Sequence, residues 1–230
     1  MSISAVLFDF NGVIIDDEPV HDEAWRDVLT PLGVTYTDEE YYGPLLGVPD
    51  AEFLRLLLEL RGVAISSDGQ RDLLAAKSAI YDKLVLQRPV DLPGLPEFVR
   101  ELARHVPVGV VSGALRSEIE LHLERLAIAD CVQATLAAGE YPRPKPDPAP
   151  YLLGLAKLNE AVGAKLAAGS IVVVEDSTNG VNSALAAGMK VLGVVARIGR
   201  ERLPGCFAHV PDFAGLDFAQ LSSLVRGDAS

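Results

Sequence analysis

The chain has little or nothing of the features that mark several protein classes. Its 230 residues include two cysteines, Cys131 and Cys206, which are too few for a disulfide framework or a thiolate metal cluster. No apolar run approaches the ~20 residues of a membrane span. The first residues show no basic segment followed by a long apolar one, as a secretory signal would. We therefore expect a cytoplasmic protein with no membrane partner.

Positive charge is also scarce. The chain has 20 Lys and Arg against 32 Asp and Glu, a net charge of −12. It therefore lacks the basic footprint of a nucleic-acid-binding protein. The glycine fingerprints of dinucleotide and ATP sites are absent as well. Because the overall field repels anions, a phosphorylated ligand would need a local cation.

Apolar runs and helical patterns alternate along most of the chain. The runs near residues 5–9, 107–112, 131–136, 171–175 and 191–195 predict strands, and the intervening patterns predict helices at 94–105, 114–127, 148–161 and 179–187. This alternation predicts an α/β fold with a doubly wound parallel sheet covered on both faces.

The first two predicted strands are separated by a segment much longer than one crossover helix. Helical patterns there cover 21–32, 50–60 and about 67–86, with Asp50 and either Ser67 or Asp68 as N-caps. We predict a core domain of residues 1–16 plus 89–230 and a small inserted helical cap domain of residues 17–88.

Carboxylates follow two of the predicted strands. Asp9 ends the first, just before Gly12 permits a sharp turn, and Glu175-Asp176 ends the fourth. Parallel sheets bind ligands beyond the carboxyl ends of their strands. Adjacent buried carboxylates repel each other, and a divalent cation relieves that cost. Mg²⁺ prefers one or two carboxylates and a substrate phosphate, so we predict a Mg²⁺ site.

Two other segments predict contacts with a phosphoryl group. Ser112 ends the second predicted strand and Gly113 follows, which offers a hydroxyl and an unhindered N–H at a helix start. Lys145 lies in a loop stiffened by Pro142, Pro144, Pro146 and Pro148. A lysine held in this way can neutralise a transferring phosphoryl group.

Together these segments resemble the haloacid dehalogenase superfamily, in particular the phosphatases and phosphomutases related to β-phosphoglucomutase. The resemblance covers essentially the whole chain and is most specific at Lys145-Pro146-x-Pro148 and Glu175-Asp176-Ser177-x-x-Gly180. It implies a mobile helical cap that closes over a small phosphorylated substrate. We expect the protein to act as a monomer.

The resemblance also implies a role for each matching residue. Asp9 would be the nucleophile that forms an aspartyl-phosphate, and Ser112 and Lys145 would hold the phosphoryl oxygens. The Mg²⁺ ligands would be Asp9, Asp176, Glu175 directly or through water, and the backbone carbonyl of Asn11. Positions that would contact substrate are Asp17, His21, Gly47, Arg55, Lys77 and Gly113. The helical patterns around Arg55 and Lys77 favour solvated faces for both side chains.

Asn11 departs from the family pattern. The phosphatases have an aspartate two residues after the nucleophile, which protonates the leaving group and then activates water. Asparagine cannot transfer a proton in this way. Such a loss typically costs about 10²–10⁴-fold on substrates with poor leaving groups.

Four interpretations of Asn11 stay open at this point. It is an engineered substitution that traps a complex, or the substrate is an acyl phosphate or anhydride whose leaving group needs no proton. Alternatively the chain is a phosphometabolite-binding pseudoenzyme, or Asp17 or His21 supplies the proton. A phosphomutase is a further alternative, and a phosphonatase using Lys77 or Lys83, or a metal-independent dehalogenase, fits less well. The sequence favours a Mg²⁺-dependent phosphatase whose activity on monoesters is impaired.

Overall fold

The chain forms two compact units. The computed structural model describes residues 2–43, 45, 48, 50–87, 91–196 and 199–227. The first unit comprises residues 1–16 and 91–230, and the second comprises residues 17–90, two residues beyond the boundary predicted at 88. Ile15 and Asp91 pair in an antiparallel bridge. The chain therefore leaves and re-enters the first unit at adjacent backbone positions.

A parallel sheet lies at the centre of the first unit. Within the described residues it has six strands in the order β3-β2-β1-β4-β5-β6. The strands are β1 (Ala5–Phe8), β2 (Val108–Val111), β3 (Ala134–Leu136), β4 (Ile171–Glu175), β5 (Lys190–Val194) and β6 (Ala208–Val210). All neighbouring pairs run parallel. The chain adds strands on one side of β1 and then, from β4 onward, on the other, so the predicted doubly wound α/β fold is confirmed.

This strand order places a crevice at one point of the sheet. The order reverses between β1 and β4, which are hydrogen-bonded neighbours with Phe8 opposite Val174. The loops that leave two such strands run in opposite directions, and a ligand can bind between them. The carboxyl ends of β1 and β4 are therefore where the fold favours a site.

Helices follow the strands. They are α1 (Glu18–Leu29), α2 (Asp38–Tyr41), α3 (Asp50–Arg61), α4 (Ser67–Gln87), α5 (Leu95–Ala103), α6 (Arg116–Arg125), α7 (Ala149–Val162), α8 (Thr178–Ala186) and α9 (Phe218–Arg226). In the described part of the chain, none of them is both long enough and apolar enough to cross a bilayer.

The core of the first unit lies on both faces of the sheet. β1, β2 and β4 are buried along their whole length. Successive strand residues point to opposite faces, so Leu7 joins a cluster with Leu158 of α7, whereas the ring of Phe8 lies 6.2 Å from that of Phe98 in α5. Burying one such side chain contributes about 1.5–3 kcal/mol, which explains the continuous apolar runs in the sequence.

The sequence did not predict β6 or α9. The three residues of β6 are only half-buried because the strand lies at the sheet edge, so no apolar run marks it. For α9 a signal was present: Asp217 and Gln220 form a capping box.

Two predicted helix caps are wrong. Asp50 is the first residue of α3 rather than the residue before it. Ser67 likewise begins α4, and the Oγ of Ser66 accepts the Gly69 N–H at 3.2 Å instead. Each helix therefore begins at the residue to which we assigned its cap, and at α4 the side chain that accepts a first-turn N–H is one residue upstream.

The second unit contains α1 to α4 and has its own aromatic core. Trp25 of α1 stacks on Phe53 of α3 with ring centroids 4.7 Å apart. Tyr36 and Tyr41 contact Phe53 edge-on, and Leu54 and Leu57 complete the cluster with further apolar residues. These residues form a hydrophobic core within the second unit.

A glycine in α7 tests the contact between this helix and β2. A Cβ on Gly154 would lie 2.3 Å from Cγ2 of Val111. We expect Gly154→Ala to lower the free energy of unfolding by about 1–2 kcal/mol, because overpacking outweighs the ~1 kcal/mol gain in helix propensity. Urea denaturation measures this. Gly169→Ala is the control, since a Cβ there meets nothing within 4 Å, and an equal effect of both substitutions would contradict the prediction.

Candidate active site

Asp9 is held at the switch point of the sheet by its own backbone. It follows β1, and its N–H donates to the carbonyl oxygen of Val174 in β4 at 3.0 Å. Its side chain is 13% exposed. The chain then turns at Gly12, whose φ is +78°, and Asn11 pairs with Ile15 across this turn. The nucleophile predicted from the sequence therefore lies on a rigid strand end.

Glu175 is fully buried at the end of β4, and protein donors engage both of its oxygens. Oε1 accepts from Nζ of Lys145 and from the hydroxyl of Tyr151, each at 2.8 Å. Oε2 accepts at 3.0 Å from the N–H groups of Asp176 and Ser177 and from Oγ of Ser177. These bonds fix the carboxylate in one orientation.

The residues around Glu175 explain the spacing of its motif. Ser177 is the N-cap of α8, and its Oγ accepts the Gly180 N–H at 3.0 Å. A Cβ on Gly180 would lie 1.6 Å from Oε1 of Glu175. The serine thus holds the carboxylate and starts the helix, and the missing side chain at position 180 leaves space for the carboxylate.

Asp176 completes an acidic cluster with Asp9 and Glu175. One carboxylate oxygen from each of the three lies within 4.8 Å of the others. Asp176 also lies against the turn after β1, because a Cβ on Gly12 would be 1.8 Å from its Oδ2. The structure brings together the three acidic side chains that the sequence placed at two strand ends.

The amine of Lys145 joins the two strand ends. Its Nζ donates to Oδ1 of Asp9 at 2.7 Å, to Oε1 of Glu175 at 2.8 Å and to the carbonyl oxygen of Val111 at 3.1 Å. The side chain is 14% exposed. The peptide bond between Lys145 and Pro146 is cis. The contacts of Nζ place this lysine in the acidic cluster.

Burial and mutual repulsion dominate the electrostatics of the cluster. Burial raises the pKa of Asp9 from 3.8 to about 6; Lys145 opposes the rise and Glu175 adds to it. Burial, with the charges of Glu175 and Asp9, also raises the pKa of Asp176 well above its usual range. Burial alone would lower the pKa of Lys145, but the Asp9 and Glu175 carboxylates outweigh it and raise that pKa, so the amine stays protonated.

The acidic cluster has the chemistry of a divalent-cation site. Three ionised carboxylates and one ammonium leave an excess of two negative charges, and a divalent ion removes that excess. Oxygen ligands suit Mg²⁺, which keeps several waters and takes one or two carboxylates. Asp9 and Asp176 are the better donors here, because Glu175 is already engaged on both oxygens.

Ser112 lies after β2, on the other side of Asp9 from the acidic pair. It is buried, its Oγ accepts the Ala114 N–H at 3.0 Å, and its carbonyl oxygen accepts from the Tyr141 hydroxyl at 3.2 Å. α6 begins only at Arg116. The prediction that Ser112 and Gly113 stand at a helix start is therefore wrong, since a turn separates them from the helix. Gly113 is exposed in this turn.

Three of the residues predicted to contact substrate form a polar network inside the second unit. The buried Asp17 accepts from the Tyr81 hydroxyl at 2.6 Å through Oδ2, which lies 3.2 Å from Nε2 of His21. Nζ of Lys77 contacts Nδ1 of His21 and donates to Asp50 at 2.7 Å. Lys77 is 1% exposed, so the solvated face predicted for it is wrong: contacts with α1 and α3 cover it.

The remaining two predicted cap positions differ. Arg55 is 47% exposed and pairs with Glu52 and Glu59 of its own helix, as a solvated helix face would. Gly47 lies outside the described residues.

Sequence reasoning missed Tyr151. This side chain is fully buried in the first turns of α7. Its hydroxyl contacts Glu175 and its ring centre lies 4.8 Å from Nζ of Lys145. The sequence did contain one signal for it: Tyr151 lies three residues after Pro148, in the first turn of the helix that follows the lysine loop. A side chain at that position lies close to the lysine.

The raised pKa of Asp9 predicts how the stability of the metal-free chain varies with pH. Ionising this buried carboxylate is unfavourable in the folded state, so the free energy of unfolding should fall as pH rises from about 4 to about 7. The shift corresponds to on the order of 3 kcal/mol. Urea denaturation in a chelator measures it, and Mg²⁺ should reverse the loss. Asp9→Asn is the control: if its stability falls as steeply as that of the unmodified chain, the prediction is wrong.

Several known proteins are similar to this chain in sequence or in structure. A phosphorylated carbohydrates phosphatase of Thermotoga maritima is 30% identical over 195 residues, 84% of this chain and 86% of that protein. The β-phosphoglucomutase of Bacillus subtilis is 27% identical over 197 residues, 84% and 83% of the two chains. The crystal structure of a putative β-phosphoglucomutase from Thermotoga maritima has a TM-score of 0.75 and 26% identity, covering 98% of each chain.

A family model agrees with these similarities. The model for haloacid dehalogenase-like hydrolases matches residues 3–188, which include the three carboxylates and Lys145. The predicted family, its phosphatase and phosphomutase group, and the prediction that the chain is an enzyme are confirmed. This chain belongs to the haloacid dehalogenase-like hydrolase family.

Proposed function

We propose that this chain is a Mg²⁺-dependent phosphatase that acts on a small phosphorylated carbohydrate through a phosphoryl group carried on Asp9. The observation that carries the proposal is the position of the Lys145 amine, which bonds both Asp9 and Glu175 at the end of neighbouring strands. The names of two relatives, a phosphorylated carbohydrates phosphatase and a β-phosphoglucomutase, support the substrate class.

Asp9 is the nucleophile of this proposal. Nζ of Lys145 holds Oδ1 of Asp9, which leaves Oδ2 to attack phosphorus. A carboxylate that is buried and fixed on a strand end needs little reorganisation before the attack, which lowers the entropic part of the barrier. The O–P bond of the phosphoaspartate forms as the bond to the leaving oxygen breaks.

Residues that follow four different strands would offset the charge of the transferring group. Lys145, already protonated, neutralises phosphoryl oxygens, and the Ser112 hydroxyl with the Gly113 N–H donates to them. Asp9 and Asp176 would hold Mg²⁺, with the carbonyl of Asn11 and, through water, Glu175. The ion, when bound, offsets the charge of the acidic cluster and of the phosphoryl oxygens.

Asn11 limits the proton transfers of this reaction. Its amide cannot protonate a leaving alkoxide or deprotonate the water that attacks the phosphoaspartate. We therefore propose that transfer from donors with good leaving groups is retained, whereas monoester turnover and release of phosphate from Asp9 are slow. The same residue favours a second candidate function, a phosphometabolite-binding protein with little turnover.

Trapping the covalent adduct tests the proposed function. Acetyl phosphate needs no proton at its leaving group, so with Mg²⁺ it should phosphorylate Asp9, and the adduct should accumulate because Asn11 cannot activate water. Mass spectrometry should find one phosphoryl group that is stable in acid and removed by hydroxylamine. Asp9→Asn is the matched control and should give none. Lack of an adduct on the unmodified chain would favour the binding protein instead.

Restoring the carboxylate at position 11 distinguishes a disabled phosphatase from a native alternative mechanism. Asn11→Asp should raise kcat on alkyl phosphomonoesters by about 10²–10⁴-fold, because it supplies the missing acid and base. The rate of Asp9 phosphorylation by acetyl phosphate should change little, as that leaving group needs no proton. A panel of sugar phosphates and acyl phosphates, assayed with both chains, measures this. Equal monoester rates would show that position 11 does not limit turnover.

A further inference from the structure

We propose that Tyr151 is a positioning residue for phosphoryl transfer: its hydroxyl and ring fix the Glu175–Lys145 pair that holds the Asp9 carboxylate. The inference rests on the proposed function and assigns a role to a residue that neither the motifs nor the sequence pattern indicated. Tyr151 contacts Glu175 and Lys145 and would act on Asp9 through these two neighbours.

The first observation is the hydrogen bond from Tyr151 to Glu175. The hydroxyl donates at 2.8 Å to Oε1, the same oxygen that accepts from Lys145. Both partners are completely buried, Tyr151 at 0% and Glu175 at 0% exposure. A buried bond to a carboxylate is worth about 1.5–3 kcal/mol, so it sets the direction in which Oε1 faces the amine.

The second observation is that the Lys145 amine has no spare donor. An ammonium group has three N–H bonds, and those of Lys145 point to Asp9, to Glu175 and to the carbonyl oxygen of Val111. The direction of the bond to Asp9 is therefore set by the other two acceptors. Val111 is fixed in β2, whereas Glu175 is a side chain: Asp176 and Ser177 hold its Oε2, and Tyr151 is the donor besides Lys145 that holds its Oε1.

The third observation is the contact between the Tyr151 ring and the ammonium. Nζ of Lys145 lies 4.8 Å from the ring centre, a distance at which the ring face attracts a cation. The ring closes one side of the amine, and a phenylalanine would do the same. Packing against the amine therefore requires the ring but not the hydroxyl. The hydroxyl donates to Glu175, and Glu175 is an acceptor that orients the lysine.

This arrangement predicts that removal of the Tyr151 hydroxyl slows the chemical step and leaves the binding of substrate and Mg²⁺ unchanged. Without the hydroxyl, Oε1 of Glu175 and the Lys145 amine sample other orientations, so Asp9 attacks less often from the productive geometry. The substrate and Mg²⁺ would still meet the same charged groups. We therefore expect a lower rate at saturating substrate and an unchanged half-saturating substrate concentration.

The test compares two variants that each remove one buried tyrosine hydroxyl from a carboxylate. Tyr151→Phe should slow Asp9 phosphorylation by saturating acetyl phosphate about tenfold, equivalent to ~1.4 kcal/mol. The half-saturating concentration, and the Mg²⁺ dissociation constant measured by calorimetry, should stay within about twofold. Tyr36→Phe removes the bond to Asp22 in the second unit and should leave the rate unchanged.

A double-mutant cycle shows whether Tyr151 acts through Glu175. In a Glu175→Gln background, Tyr151→Phe should cost less than about twofold, because the bond it removes no longer orients the lysine. A tenfold loss in both backgrounds, a normal rate in Tyr151→Phe, or weakened Mg²⁺ binding alone would each overturn the inference. A Tyr151→Phe chain that does not fold would do so too, since the hydroxyl would then be structural.

The same assay separates this inference from the proposed function. If the unmodified chain and Tyr36→Phe form no adduct on Asp9, both the proposed function and the role of Tyr151 fail. If they form it and Tyr151→Phe forms it equally fast, only the role of Tyr151 fails.

Discussion

One buried ammonium group stabilises the acidic edge of the sheet. Asp9 and Glu175 are far apart in the sequence, yet both accept from Nζ of Lys145. Without that positive charge, carboxylates gathered in a poorly hydrated crevice would repel each other and become protonated. Breaking a buried pair by removing one partner typically costs about 3–5 kcal/mol. The contact on which the proposed chemistry depends is therefore also a contact on which the local fold depends.

The missing side chains at two glycines matter as much as the charges. A Cβ at Gly12 would overlap Asp176, and a Cβ at Gly180 would overlap Glu175. Gly12 also has a positive φ, which a side chain disfavours. Ser177 bonds both Glu175 and the first turn of α8. Glu175, Ser177 and Gly180 therefore pack together as one unit. This explains why their spacing in the sequence is so specific.

The sequence predicted the strand ends of the site better than its surroundings. Buried parallel strands appear as apolar runs, so the positions of Asp9 and Glu175 followed from periodicity, and the prolines around Lys145 marked that loop. The edge strand β6 has no such run because it is half-buried. Tyr151 looks like any aromatic residue of a helix core, and the burial of Lys77 arises from contacts with distant segments. Local patterns do not record which distant groups a side chain meets.

The bridge between Ile15 and Asp91 bears on how such a protein could diversify. Because the chain departs and returns at paired backbone positions, residues 17–90 can lengthen, shorten or be exchanged without altering the register of the sheet. Loop insertions at a closed pair of ends carry a small entropic penalty that grows slowly with length. The insert can therefore evolve in length and composition, while the strand ends that carry the acidic cluster are inherited unchanged.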